Sequence, residues 1–350
     1  MAKNLTSKWR ESASLIILAK NECLKDVGCD YRVLLFKRTK ESTSFANSAV
    51  FPGGVHENSD ASPLWMDYIK TSSQSSDLNS LQCNAPRPNI YTKFIEDQIQ
   101  RDISLRITAI RETFEETGIL LCRQNDLNKG EINGFCHSFV DFDRHYWQNL
   151  VHNDPTQFLT LCKKFDVVPD LTALFDWTAW LTPVTFPKRF AAVFYLAALD
   201  HTPDVLLESN EAACFSWDTP MESIRQHLSN QINLHPPQFY ELSRLLNFNR
   251  IHELIEFARV RSQKGVTLMF PIIQKCSDGT VSLMPGDDAY TESKELKTED
   301  LTIEQYRLKA TNLHRIEWFH TGKIAIQSDF PIGDGHLPPI NVTTENESKL

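Results

Sequence analysis

Three glutamates near the end of one helical segment have a spacing that could support chemistry. Glu112, Glu115 and Glu116 stand at positions i, i+3 and i+4, which places their carboxylates on one face of a helix. Gly118 marks the helix end, so the acids lie where the helix dipole is already negative. Arg111 can pair with Glu115 but cannot neutralise three acids. The pattern predicts either a bound divalent cation, with Mg²⁺ the natural partner and Mn²⁺ a substitute, or a solvated acidic face.

The surrounding residues favour the first of these interpretations. The run from Arg111 to Ile119 resembles the second half of the Nudix box, G-x5-E-x7-R-E-U-x-E-E-x-G-U, in which U is apolar and Thr113 is a departure. The first half lies upstream, where Gly54 is followed after five residues by Asp60 instead of glutamate. Gly54 and Arg111 are 57 positions apart, against 14 in an uninterrupted box, so 43 extra residues split the motif. A surface loop tolerates such a length at modest entropic cost.

The chain as a whole resembles one branch of this superfamily, the peroxisomal coenzyme A diphosphatases, or nineteenth-type Nudix hydrolases. The resemblance rests on the split box, on Phe51–Gly54 before it, on Leu34–Arg38, and on segments 180–184, 236–242 and 283–290. The middle Arg and Gly of the coenzyme A signature are missing between Arg38 and Phe51. The resemblance implies Mg²⁺-dependent hydrolysis of the diphosphate linkage of coenzyme A or acyl-coenzyme A. The products would be 4′-phosphopantetheine, free or acylated, and adenosine 3′,5′-bisphosphate.

The box residues receive specific roles in this interpretation. We expect Glu112, Glu115 and Glu116 to hold the metal ion, with the backbone carbonyl of Gly54 as a further ligand. Glu112, Glu115 and Arg111 form the predicted catalytic group, in which Arg111 orients the glutamates. Glu112 is one candidate for the general base that activates water.

Other residues are predicted to surround the diphosphate. Arg38 and Arg189 are candidate phosphate contacts, because a guanidinium group binds phosphate oxygens in pairs, but each is equally well explained as a surface arginine. Gly53 lets the backbone approach the phosphate closely. Glu208 or Glu211 is a more distant candidate for the general base, with an ordinary loop acid as the favoured alternative.

Composition and the chain end restrict partners and location. The net charge of −9 argues against a nonspecific nucleic-acid binder. The apolar run 13–19 is too short to span a membrane. Eight cysteines without zinc-site spacing indicate free thiols. Ser348, Lys349 and Leu350 match the address read by the peroxisomal import receptor, so we expect that receptor as a partner and the peroxisome as the location.

The pattern of elements predicts an α/β protein. Strand-like runs at 13–19, 31–37 and 49–51 precede a helical pattern from about 92 to 117. The resemblance implies a Nudix α/β/α sandwich with a mixed sheet. We expect a Nudix hydrolase domain over 10–230, with an insertion at about 56–90. We also expect an accessory C-terminal region over 231–337, packed on the core, and a tail over 338–350.

Two alternative functions stay open at this point. One is a pyrophosphatase of the same fold that acts on NADH or ADP-ribose. The other is a Nudix-fold binding module without activity, which is less favoured because such a module would have lost a box glutamate and this chain retains all three.

Overall fold

The computed structural model describes most of the chain. The described residues are 9–21, 29–38, 48–72, 77–81, 83–125, 134–208, 212–291, 297–298, 300–329, 331 and 333–343. Within these ranges, no helix has the length and apolar character needed to cross a membrane.

The first strands bring the two halves of the N-terminal sequence together. They are β1 (Arg10–Lys20), β2 (Tyr31–Arg38), β3 (Ser48–Val50) and β4 (Gly53–Val55). β1 and β2 form an antiparallel pair, as their strand-like apolar runs predict, and β3 pairs with β2. β3 ends at Val50, and Gly53 and Gly54 begin the separate strand β4, in which they pair with Ser14 and Ala13 of β1.

The insertion and the glutamate-bearing helix follow. They contain α1 (Pro63–Lys70), α2 (Asn89–Thr92) and α3 (Arg101–Thr117). The prediction of one continuous helix from about residue 92 was wrong at its start. Residues 93–100 leave the helix because Asp97 adopts a positive φ of 60° and Lys93 reaches Glu11 of β1, 2.7 Å away. Tertiary contacts therefore override local helix propensity.

The middle of the chain completes the central sheet. Its elements are β5 (Cys122–Gln124), α4 (Arg144–Asn153), α5 (Gln157–Lys164), β6 (Val167–Pro169), β7 (Phe175–Leu181), β8 (Phe190–Leu199) and β9 (Ala212–Asp218). β8 lies parallel to β1 over ten residue pairs and antiparallel to β7, while β9 is antiparallel to β2. The sheet is therefore mixed, as predicted.

The remaining elements form the C-terminal region. They are α6 (Pro220–Leu228), β10 (Asn233–Leu234), α7 (Pro236–Leu245), α8 (Ile251–Ser262), β11 (Leu268–Met269), β12 (Ile272–Cys276), β13 (Gly279–Leu283), β14 (Lys297–Thr298), α9 (Ile303–Arg307), β15 (His314–Phe319) and β16 (Ile324–Ser328). β10 and β11 join the central sheet beside β3 and β7. Residues beyond 230 therefore contribute to the core sheet, and the domain boundary at 230 stays a prediction.

Alternating residues of β1 show how the layers are built. Leu15 and Ile17 face one apolar cluster, which includes residues of α1, α3, α4 and α5. Ile16 and Leu18 face the other, which includes residues of α6, α7 and α8. Because helices pack on both faces of the sheet, the α/β/α sandwich is confirmed.

The C-terminal sheet has the strand order β14-β12-β13-β15-β16. Ile316 and Ile326 on one of its faces belong to the apolar cluster of α6 to α8. Val281 and Leu283 instead pack with Ile303 of α9. This region is therefore packed on the core through one face, and α9 covers the other.

A buried ion-pair network fixes α3 against the rest of the fold. Arg106 of α3 lies 2.6 Å from Asp176 of β7, and Arg87 of the insertion pairs with the same carboxylate. Arg261 of α8 donates to the Asp176 carbonyl at 2.6 Å and pairs with Asp334 at 3.1 Å. Buried charges of this kind persist only when each has a partner, so the network ties the insertion and the C-terminal region to α3.

Candidate active site

The last two turns of α3 present the three glutamates beside β4, the strand that carries the glycine pair. Glu115 and Glu116 are buried, and Glu112 is half-buried. Gly118 ends the helix with a φ of 68°, and its N–H donates to the Phe114 carbonyl at 2.8 Å. The left-handed C-cap confirms the helix end predicted from Gly118.

Arg111 lies at the centre of this group and is 1% exposed. Its Nε and Nη2 bind the two oxygens of Asp60 at 2.7 and 2.9 Å. Nη1 donates to Glu112 at 3.0 Å and to Glu115 at 2.6 Å, and Nη2 also donates to the Val55 carbonyl at 3.0 Å. These five bonds match the five N–H donors of a guanidinium group. Arg111 therefore positions carboxylates, and none of its donors is left for a substrate.

Asp60 joins the two halves of the split box. It is buried, and besides Arg111 it accepts from the Thr108 hydroxyl at 2.8 Å and from the Glu57 N–H at 3.0 Å. The sequence indicated only that Asp60 occupies a box position. The structure shows a carboxylate that fixes the first turn of the insertion to the helix beginning forty residues later in the sequence.

The glycine pair lies against two of the glutamates. The Gly53 N–H donates to Glu116 Oε2 at 2.8 Å. A Cβ atom on Gly53 would lie 2.4 Å from the Ala13 carbonyl of β1, so the backbone itself excludes a side chain there. A Cβ atom on Gly54 would lie 2.2 Å from Glu112 Oε2. The fold therefore requires glycine at position 53, where the β1 backbone leaves no space, while glycine at position 54 leaves the space that the Glu112 carboxylate occupies.

The end of α3 is held by α4, which sequence reasoning did not associate with the site, and by the segment 206–208, of which sequence reasoning named only Glu208. Gln148 of α4 donates to the Glu115 carbonyl at 2.9 Å and to the Leu206 carbonyl at 2.8 Å. His152, one turn later, has Nδ1 3.7 Å from Glu115 Oε2. The Glu208 N–H donates to the Glu116 carbonyl at 3.3 Å. A single glutamine and a single histidine on an amphipathic helix have no distinctive sequence signal, so only the fold identifies them.

The close packing of Arg111 with these carboxylates shifts the pKa values of Glu112 and Arg111. Burial raises the pKa of Glu112 to about 8, although the neighbouring Arg111 guanidinium opposes the shift. Burial would lower the pKa of Arg111, but the carboxylates of Asp60 and Glu112 raise it well above its ordinary value. Within the described part of the chain, Arg111 therefore faces Asp60, Glu112 and Glu115 in a poorly solvated space, which agrees with the concentration of negative charge that the helix pattern implied.

The glutamates bind protein donors in this structure. Among the described residues, no three acidic, histidine or cysteine side chains are gathered so that they could hold a metal ion. Glu112 and Glu115 accept from Arg111, and Glu116 accepts from Gly53. Their oxygens and the glycine niche fit a hard divalent cation by donor type, and the ligand set stays a prediction.

The structure does not bring the other predicted site residues into contact with the glutamates within the described ranges. Arg189 donates to the Val184 carbonyl at 3.5 Å, and its guanidinium lies 5.3 Å from the centre of the Trp9 ring. Its contacts within the described ranges do not reach the glutamates. The side chain of Arg38 lies outside the described residues, as do Glu211 and the segment from Ser348 to Leu350. The roles predicted for these residues stay predictions.

Comparison with known proteins defines the class of this fold. A crystal structure of a Nudix hydrolase from Alicyclobacillus acidocaldarius superimposes with a TM-score of 0.53 at 20% identity, covering 72% of this chain and 97% of that one. This likeness confirms the Nudix fold. Hydrolases of this class generally use a divalent metal ion.

Closer relatives define the family. Residues 9–245 match the NUDT19 Nudix domain, and residues 273–328 match the NUDT19 C-terminal domain. The acyl-coenzyme A diphosphatase NUDT19 of Xenopus laevis is 33% identical over 99% of this chain and 100% of that protein. The human protein of the same name is 31% identical over 98% of this chain and 94% of that protein. The chain belongs to the NUDT19 family of Nudix hydrolases.

The Gly54 niche leads to a prediction about Glu112. Gly54→Ala should lower kcat/KM for the hydrolysed diphosphate by about 10²-fold, because the new methyl group displaces the Glu112 carboxylate by an ångström or more. The melting temperature should change little, because only the end of a flexible side chain must move.

Two matched variants make this result specific. Gly53→Ala should lower the melting temperature instead, because its methyl group meets the β1 backbone. Gly333→Ala has no atom within 4 Å of the added Cβ and should alter neither quantity. Normal kcat/KM in Gly54→Ala would contradict the placement of Glu112.

Proposed function

We propose that this protein hydrolyses the diphosphate linkage of coenzyme A or acyl-coenzyme A with Mg²⁺ as cofactor. The products are adenosine 3′,5′-bisphosphate and 4′-phosphopantetheine, free or acylated. The observation that carries the proposal is the reassembly of the split box around Arg111, in a chain that aligns over nearly its full length with proteins named acyl-coenzyme A diphosphatase.

The divalent ion belongs between the carboxylates of α3 and the glycine pair. Glu112, Glu115 and Glu116 would hold it, with the Gly54 carbonyl as a further ligand. When bound, it supplies neutralisation of phosphoryl oxygens and a lower pKa for a bound water. Mg²⁺ suits such a site because it prefers hard oxygen ligands, and Mn²⁺ can replace it.

The protein side chains have separate tasks in this proposal. Arg111 keeps Glu112 and Glu115 in place through its bonds to both, so these side chains lose little freedom when the substrate arrives. Glu112, the most exposed of the three acids, accepts the proton of the attacking water. Glu208, whose N–H is bound to the Glu116 carbonyl, is the second candidate base. Arg38 and Arg189 are the candidate phosphate contacts.

The box glutamates provide the first test of this function. Glu112→Gln and Glu116→Gln should each lower kcat by at least about 10²-fold, because each removes a ligand or a base. Both variants should remain folded, since the substitution relieves repulsion between like charges. Excess EDTA should abolish turnover by the unmodified protein, and added Mg²⁺ should restore it. Full turnover in EDTA, or near-normal rates in both variants, would show that α3 is not the catalytic helix.

Substrate class requires a separate comparison. Coenzyme A and 3′-dephospho-coenzyme A share the reacting diphosphate and differ in one phosphate group. A cation placed for that group contributes about 1.5–3 kcal/mol, so the dephosphorylated compound should show a kcat/KM lower by about 10- to 150-fold. Equal efficiency would exclude a pocket for the 3′-phosphate. Higher efficiency on NADH or ADP-ribose would replace the proposal with a pyrophosphatase of the same fold.

We also propose that the protein resides in peroxisomes through Ser348-Lys349-Leu350 and the import receptor that reads this tripeptide. Removal of these three residues should move a fluorescently tagged protein to the cytosol without changing its activity, because the tripeptide lies outside every segment assigned to chemistry. A truncation with unchanged import would show that another signal or an imported partner supplies the address.

A further inference from the structure

A cavity of about 490 Å³ lies away from the box glutamates, between the Nudix domain and the C-terminal sheet. Lys37 of β2 and Asn233 of β10 line it from one side. Trp318 of β15 and Lys323, just before β16, line it from the other. The volume lies within the range of small-molecule sites, which often form where two domains meet.

The charge of the cavity wall favours an anion. Two lysines line the cavity, while none of its described lining residues is an aspartate or glutamate. In a protein whose net charge is −9, a cavity whose described charged lining residues are all lysines is an exception to the overall charge balance. Asn230 and Asn233 add amide groups that can both donate and accept hydrogen bonds.

His227 supplies an independent indication of a ligand. It lines the cavity, is 4% exposed, and its Nε2 has no hydrogen-bond partner among the described residues. Its Nδ1 lies 3.3 Å from the Leu234 backbone nitrogen and 3.4 Å from the Ile232 carbonyl oxygen, so Nδ1 is bonded within the protein in either neutral tautomer and Nε2 is the ring nitrogen left without a partner among the described residues. Burial lowers the pKa of His227, so the neutral ring is the expected form. An unpaired buried ring nitrogen is costly whether it donates or accepts, and a polar group of a ligand would satisfy it.

The aromatic wall indicates the rest of the ligand. Trp318 is half-buried, packs against Phe239, and donates from Nε1 to the Ser282 hydroxyl at 3.3 Å. These contacts fix the orientation of the indole ring. A held aromatic ring beside amides and cations is the combination that binds a planar base with attached phosphates.

We propose that this cavity is a second, non-catalytic site that binds a phosphorylated nucleotide. The phosphate groups contact Lys37 and Lys323, and the base lies against Trp318. The site shares no residue with the α3 carboxylates, and its occupation does not depend on the hydrolysis proposed above.

Calorimetric titration with adenosine 3′,5′-bisphosphate in excess EDTA tests this site. The full-length protein should bind the probe saturably. Lys323→Met and Lys37→Met should each raise the Kd by about tenfold or more, because each removes a charge-assisted contact. Lys275→Met is the matched control, since this exposed lysine lies on β12 of the same C-terminal sheet. It should leave the Kd unchanged, and all three variants should keep the melting temperature of the unmodified protein.

The remaining arms separate this site from the active site and from simple anion binding. Glu116→Gln should bind the probe as the unmodified protein does, and loss of binding there would assign the probe to the active site. Inorganic phosphate and adenosine alone should each bind at least about tenfold more weakly. The proposal is overturned if the probe shows no saturable binding, or if Lys323→Met and Lys37→Met bind it with the Kd of the unmodified protein. It is also overturned if Lys275→Met raises the Kd as much as these two variants do, or if inorganic phosphate binds as tightly as the probe.

Discussion

The buried pair of Arg111 and Asp60 is the interaction on which the site depends. Taking both charges out of water costs several kcal/mol each, and only well-formed hydrogen bonds offset that cost. Arg111 meets this condition because all five N–H donors have acceptors, two of them on Asp60. The same guanidinium holds Glu112 and Glu115, so the pair also determines where the acidic face points.

This pair explains how a box divided by a long insertion can still form one site. The chain leaves the sheet after β4, makes one turn that places Asp60, and returns only with α3. A longer loop adds little to the entropic cost of bringing its two ends together, and both ends of this loop are fixed to the core. Asp60 holds the first end through Arg111, and the buried Arg87, Arg106 and Asp176 network holds the second. These two contacts therefore hold the glutamates in place although a long segment separates the halves of the box.

Part of the site and of the fold was predictable from the amino-acid sequence. The spacing of the glutamates and Gly118 predicted the acidic helix face and its end, because both depend only on helix periodicity. The break between α2 and α3 was not predictable, because residues such as Lys93 there make long-range contacts, in this case with Glu11 of β1. Strands of two residues, such as β10 and β11, are too short for a periodic pattern. The pairing of β10 with β3 and of β11 with β7 in the core sheet was therefore not predictable. The burial of Asp60 is likewise a property of the folded chain alone.

A double-mutant cycle on the Asp60–Arg111 pair tests the central claim most directly. Asp60→Asn, Arg111→Lys and the double variant are compared with the unmodified protein by kcat/KM for coenzyme A at saturating Mg²⁺. Lysine cannot reproduce the bidentate bond, so each single change should break the same unit. We predict a coupling energy of at least about 1 kcal/mol, with the double variant little worse than either single variant. Losses that add within about 0.5 kcal/mol would show that the two residues act independently and would contradict this account.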